Sequence, residues 1–150
     1  YGATDLLYYR ADSPPELQKR QKTGWDPIVK WAENTFKVQI NCGTGIIYIP
    51  QNEKLFLEIR KKINKLSIFE LTAFYDMVSI TGSLILGLAI INGRLSAEEA
   101  YQLCMVDEHW QLEQWGEDDE AQTAAKLKYA AILHSEEFFV LSNGNKSTIF

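Results

Sequence analysis

Hydrophobic positions crowd one stretch of this chain. Residues 77–91 are apolar almost throughout, interrupted only by Ser79, Thr81, Gly82, Ser83 and Gly87. These fifteen residues fall short of the ~20 that a bilayer span requires. Glu70 and Asp76 precede them in what reads as the same helix, so the pattern predicts a central buried helix. Ser67-Ile68-Phe69-Glu70 opens it as a capping box. Ser79, Ser83 and Gly87 recur every four residues and mark a small-residue seam for close approach of a second helix.

The rest of the pattern is amphipathic and mostly helical. Leu55, Ile59, Ile63 and Leu66 keep helical spacing over residues 53–65. Ser96-Ala97-Glu98-Glu99 is a second capping box, opening a helix over 97–105. Nearer the start, Asp12-Ser13 precedes Pro14-Pro15 and predicts a helix that ends near Gly24. Asp26-Pro27 repeats the device and predicts another helix, through Trp31 to Phe36. Trp25 and Trp31 read as anchors of helix entry and core. Val38-Gln39-Ile40, a glycine-rich turn over 41–45 and Ile46-Ile47-Tyr48-Ile49 predict a β-hairpin. Residues 107–135 read as one long bent helix with Gly116 inside it. Phe138-Phe139-Val140-Leu141 extends that helix or forms a short strand, and 142–150 reads as a loose tail. The expected fold is mainly α (α+β), with a buried central helix, a long C-terminal helix and one small hairpin. Neither repeats nor a linker divide residues 1–150, which read as a single domain.

Within the last long helix, residues 107–120 hold seven of the twenty acids and two of the four tryptophans. At about 100° per residue, Asp107, Gln111 and Gln114 share a narrow polar stripe. Trp110 flanks it on one side and Trp115 on the other, with Leu112 beyond Trp115. Indoles framing hydrogen-bonding groups suit a contact surface, because tryptophan combines large area with one polar handle. The same pattern also suits a core helix with a solvated acidic face, and both readings stay open on these residues alone.

Composition narrows the function. The chain has 150 residues, 46% of them hydrophobic and 23% charged, which is the balance of a globular domain with a real core. Its net charge of −5 disfavours general nucleic-acid binding, which needs basic surface. Arg60, Lys61, Lys62 and Lys65 cluster without interleaved aromatics and read as a solvated face. Cys42 and Cys104 lie far apart with no zinc-type spacing around them. The chain starts at Tyr1-Gly2, which suggests a fragment or processed form. His109, Glu113 and Glu117 follow one another at four-residue spacing and share a helix face. A two-metal bundle site needs a matching pair on another helix, and none exists, since position 131 is Ala and leaves His134 alone. Neither histidine lies in a nucleophile motif. The expectation is therefore a protein that is not an enzyme and has no cofactor or metal. A helical metal-dependent enzyme and a stable structural subunit of a complex are the alternatives.

An ordered set of short motifs carries a resemblance. They are Tyr9-Arg10-Ala11, Arg20-Gln21, Trp25-Asp26-Pro27, Trp31-Ala32-Glu33, Ser83-Leu84, Leu86-Gly87-Leu88, Gly93-Arg94-Leu95, Glu99-Ala100, Trp110-Gln111 and Gln114-Trp115-Gly116. Over roughly residues 5–139 the chain resembles the assembly chaperones that attend the alpha subunit of the ATP synthase catalytic head (assembly factor two type). Trp115-Gly116-Glu117-Asp118 with Glu120-Ala121 is more similar to alphaproteobacterial members than to animal ones. Tyr8 departs from the family, where many members carry Cys. The resemblance implies that this is the helical C-terminal domain and that the family's N-terminal β-rich domain is absent. It also implies an ATP-independent chaperone, monomeric and without stable membrane insertion, in bacterial cytoplasm or, in a eukaryote, the mitochondrial matrix. Its partner would be the free alpha subunit, released when the beta subunit takes over the covered surface. An acidic position at the head of the tryptophan motif matters in the family and falls on Asp107 or Glu108. The implied contact residues are Asp107, Glu108, Trp110, Gln111, Gln114 and Trp115. Asp107 or Glu108 would pair with a basic group, Trp110 and Gln111 would supply an anchor and directional hydrogen bonds, and Trp115 would make contact or pack inward.

Overall fold

The structure, a computed structural model, describes residues 1–116 and 118–144. A 3-10 turn (Leu6–Tyr8) leads into β1 (Tyr9–Arg10) and α1 (Pro15–Phe36). After β2 (Gly43–Thr44) come α2 (Glu53–Ile63), α3 (Ile68–Thr81), α4 (Leu84–Ile91), α5 (Ala97–Cys104), α6 (Val106–Trp115) and α7 (Asp119–Asn143). The architecture is mainly α with a small β part. Helix α4 is its centre, with every residue from Ile85 to Ile91 buried. Around it α1 contributes Trp25, Ile28 and Ala32, α3 contributes Ala73, Phe74 and Met77, and α5 contributes Ala97 and Ala100. Helix α7 lies across α3 and α5 and adds Ile132 and Phe139.

Four sequence expectations are corrected. The first concerns residues 14–36, which form one helix that continues through Pro27. A proline in a helix interior costs about 3 kcal/mol locally, but Gln21, Trp25, Ile28, Val29, Ala32 and Phe36 present one continuous buried face that outweighs it. Asp26 caps nothing and instead accepts from Arg10 Nη1 at 2.7 Å. Asp12-Ser13 is not the cap either, since Pro14 takes that position without a side-chain bond.

The second concerns the hairpin, which does not form. Gly43–Thr44 pairs in parallel with Tyr9–Arg10. Side chains claim backbone groups that a hairpin would have used: Glu33 Oε1 accepts the Ile40 amide and Gln51 Oε1 the Asn41 amide, both at 2.9 Å. Val38 and Ile40 enter the core, whereas Ile46, Ile47 and Tyr48 are exposed.

The third concerns the central apolar helix, which is two helices joined at Gly82-Ser83. Ser67 does cap α3, accepting from the Glu70 amide. The break is held by a buried polar knot. Ser83 Oγ accepts the Leu86 amide at 3.0 Å and donates to Asp5 Oδ1 at 2.7 Å, while Asp5 Oδ2 accepts the Ile85 amide at 2.9 Å. A carboxylate at a helix start satisfies free amides and suits the helix dipole. The expected seam is split accordingly. Ser79 is exposed, Ser83 is the cap of α4, and only Gly87 lies at a close approach, against Val78 and Phe74 of α3.

The fourth concerns the long bent helix, which is α6 plus α7, broken at Gly116 with φ 84° and ψ 171°. That backbone region is essentially glycine-only. Asp118 restarts the chain as helix by accepting the Ala121 amide. Asp107 lies inside the first turn of α6 and does not cap it. Ser142 and Asn143 belong to α7, and the remainder of the expected tail, 145–150, lies outside the described residues. The capping box at Ser96 and Glu99 is present with both of its bonds.

Candidate functional site

Helix α6 has two faces with different work. One face is docked on α1. Asp107 Oδ1 accepts from Gln21 Nε2 at 2.7 Å, and Gln21 Oε1 accepts the Ala11 amide at 2.8 Å. Gln21 is 1% exposed and so fastens α6, α1 and the N-terminal segment together. Trp110 is buried, with the Arg20 guanidinium 4.9 Å from its ring centroid. Arg20 also forks onto Glu113, at 2.9 and 2.7 Å to its two carboxylate oxygens. That contact holds the Glu113 carboxyl below the usual carboxylate range and raises Arg20. Trp25 completes the junction from α1, its Nε1 donating to the Leu103 carbonyl at 2.8 Å.

The other face of α6 opens onto α7. A cleft of about 480 Å³ separates the two helices; Glu108, Gln111, Leu112 and Trp115 line it from α6, Ala124 and Lys128 from α7. The Trp115 indole is 80% exposed, far from the inward packing that was one of its two expectations. Glu108, Gln111 and Gln114 are exposed as well. The cleft thus offers an aromatic wall, an amide, two carboxylates (Glu108 and Asp118) and one ammonium over a floor of small residues.

The six residues expected to meet a partner do not form one surface. Glu108, Gln111 and Trp115 come together in the cleft, and Gln114 is exposed on the same helix. Asp107 and Trp110 turn to α1, where both have partners within the chain. The expected stripe assumed an isolated helix; it could not show that Gln21 and Arg20, in a helix some 90 positions upstream, would claim one side. Leu112, Ala124 and Lys128 were not anticipated. Ala121, Ala124, Ala125 and Lys128 keep the three- and four-residue spacing of one helix face, a signal readable as a smooth floor once the break at Gly116 is known.

The metal alternative has little support in the geometry. Glu113 is engaged by Arg20, and Glu117 lies outside the described residues. Among the described residues no cluster of three potential ligands occurs, and no helix is long and apolar enough to cross a membrane. Both cysteines are free, Cys42 exposed and Cys104 buried. Burial pushes the Cys104 thiol up to about 11, which makes it inert at neutral pH. Tyr8, at the position where the resemblance expects Cys in many members, is fully buried and donates to the Gly2 carbonyl at 2.9 Å.

Comparison with known proteins gives a consistent result. The family model described as ATP12 chaperone protein matches residues 1–33. The crystal structure of Atp12 from Paracoccus denitrificans superposes with a TM-score of 0.91 at 44% identity, over 95% of this chain and 61% of that one. The Agrobacterium tumefaciens protein Atu1473 superposes with a TM-score of 0.84 at 33% identity, over 95% of this chain and 53% of its own. The mitochondrial protein atp12 of Schizosaccharomyces pombe is 30% identical over 139 residues, covering 85% of this chain and 48% of the relative. The chain thus spans about half the length of that curated relative. With a match to the family model over its first 33 residues and a shared fold over 95% of its length, the chain is similar to the ATP12 chaperone proteins.

Proposed function

We propose that this chain is an ATP-independent assembly chaperone, or the helical part of one, for the catalytic head of ATP synthase. It binds the free alpha subunit and covers surface that later meets the beta subunit. The observation that carries the reading is Trp115, an 80% exposed indole on the rim of the α6–α7 cleft in a chain with the Atp12 fold. A large aromatic left in water beside a small-residue floor is costly alone and favourable against a partner. Glu108 supplies the charge for a basic group on the client, Gln111 and Gln114 supply directional hydrogen bonds, and Trp115 is the anchor. Asp107 and Trp110 act by holding α6 on α1. A chaperone of this kind needs no catalytic group: it works by lowering the population of the aggregating free subunit. Its place of action is wherever the catalytic head is assembled, bacterial cytoplasm or mitochondrial matrix.

The test is a co-expression pull-down of this chain with the cognate alpha subunit, followed by addition of beta. Retention of alpha and its release by beta is the expected result. Failure to retain alpha overturns the proposal. Retention that beta cannot reverse replaces it with a stable structural subunit.

A further inference from the structure

Farther along α7 a second groove opens, between that helix and α3. Its volume is about 770 Å³, and its lining includes Tyr75, Asp76 and Ser79 from α3 and Leu127, Ala131 and Phe138 from α7. Each set keeps the spacing of a single helix face. Tyr75 is 64% exposed, Leu127 67% and Phe138 42%, so the walls are apolar and open to water. The α7 wall runs for eleven positions from Leu127 to Phe138, or roughly 16 Å, enough for about three turns of another helix. Both walls are helical and offer no strand edge. An extended peptide laid here would leave its amides and carbonyls without partners, whereas a helix satisfies its own backbone.

Charge narrows the occupant. Asp76 is the one acidic residue lining the groove. Three carboxylates elsewhere have cations at hand, Asp26 with Arg10, Glu58 with Lys61 and Glu113 with Arg20. Among the described residues none pairs with Asp76. The groove is also continuous with the α6–α7 cleft. Ala124 lines that cleft, and Ala124 and Leu127 together line a shallow hollow that leads to the groove.

We propose that the α3–α7 groove is a second docking surface, taking an amphipathic helix of the alpha subunit that lays its apolar stripe on Tyr75, Leu127 and Phe138 and sets a lysine or arginine against Asp76. The inference rests on the client reading above. It makes the contact surface one track along α7, anchored at Trp115 at one end and at Phe138 at the other.

The experiment measures binding of purified alpha subunit to the native chain and to Leu127→Glu, Asp76→Lys and Trp115→Ala, with urea midpoints confirming that each variant folds. Both groove variants are expected to weaken binding about ten-fold or more. A photocrosslinker at position 127 is expected to reach alpha-subunit residues three and four apart in sequence. Binding unchanged in both groove variants, but weakened by Trp115→Ala, overturns this inference and leaves the function standing. No binding by the native chain overturns both. A native dimer in sedimentation that Leu127→Glu dissociates assigns the groove to a second copy and overturns the inference.

Discussion

Asp5 shows how much one side chain can organise. It is fully buried and accepts three bonds, from the Leu7 amide, Ser83 Oγ and the Ile85 amide. These bonds favour the carboxylate, yet burial outweighs them and pushes its pKa up to about 6, above the value near 4 of a solvated aspartate. The folded state therefore binds this proton more tightly than the unfolded chain does. The stability the group contributes is full below about pH 4 and is lost as pH rises through about 6. Asp5→Asn abolishes that titration and turns an amide N–H₂ toward one of the three donors, at a cost of about 1–3 kcal/mol. Urea midpoints will therefore differ between native chain and variant, and by more at about pH 4.5 than at about pH 7. A gap that grows with pH instead would show that the three bonds, and not burial, govern the group. None of this is legible in the sequence, where Asp5 is one acid in an aperiodic lead-in and its Ser83 partner lies 78 residues away.

Elements were legible wherever local chemistry decided them. The caps at Ser67 and Ser96 sit where the side-chain spacing put them, because a capping bond spans only three residues. The breaks and continuations were misread because distant groups decide them. The buried face of α1 carries it through Pro27, Asp5 divides α3 from α4, and β1 pairs with Gly43–Thr44, inside the stretch expected to turn. Gly87 is the one member of the expected seam that works as anticipated. A Cβ there would stand 2.8 Å from Val78 Cγ2 and 3.1 Å from Phe74 Cε2, both on α3. Neither neighbour has room to yield, since Val78 and Phe74 are themselves buried. Gly87→Leu will push α3 from α4 and destabilise the chain by about 1–3 kcal/mol, read as a lowered urea midpoint at unchanged slope. An unchanged midpoint would mean that the two helices separate without cost.

At the scale of the whole molecule, α6 joins the fold to the proposed contact surface, and its two tryptophans stand on opposite faces. The sequence placed both indoles beside one stripe, because helical spacing gives angles and says nothing of what stands opposite. Trp110 is 8% exposed beneath Arg20, while Trp115 is 80% exposed. Truncating a buried tryptophan removes packing and leaves a cavity, so Trp110→Ala will cost about 3 kcal/mol and loosen α6 from α1. Truncating an exposed one removes little that the folded chain uses, so Trp115→Ala will leave stability within about 0.5 kcal/mol. Binding has the opposite dependence. Trp115→Ala will weaken capture of the alpha subunit about ten-fold or more. Trp110→Ala will weaken it only to the extent that α6 detaches, so lowering the temperature to restore the fold will restore capture. Paired urea titrations and alpha-subunit binding curves at two temperatures read all four outcomes. If Trp115→Ala unfolds the chain, or Trp110→Ala loses capture while fully folded, the two faces of α6 have been assigned the wrong way round, and the partner approaches from the side of α1.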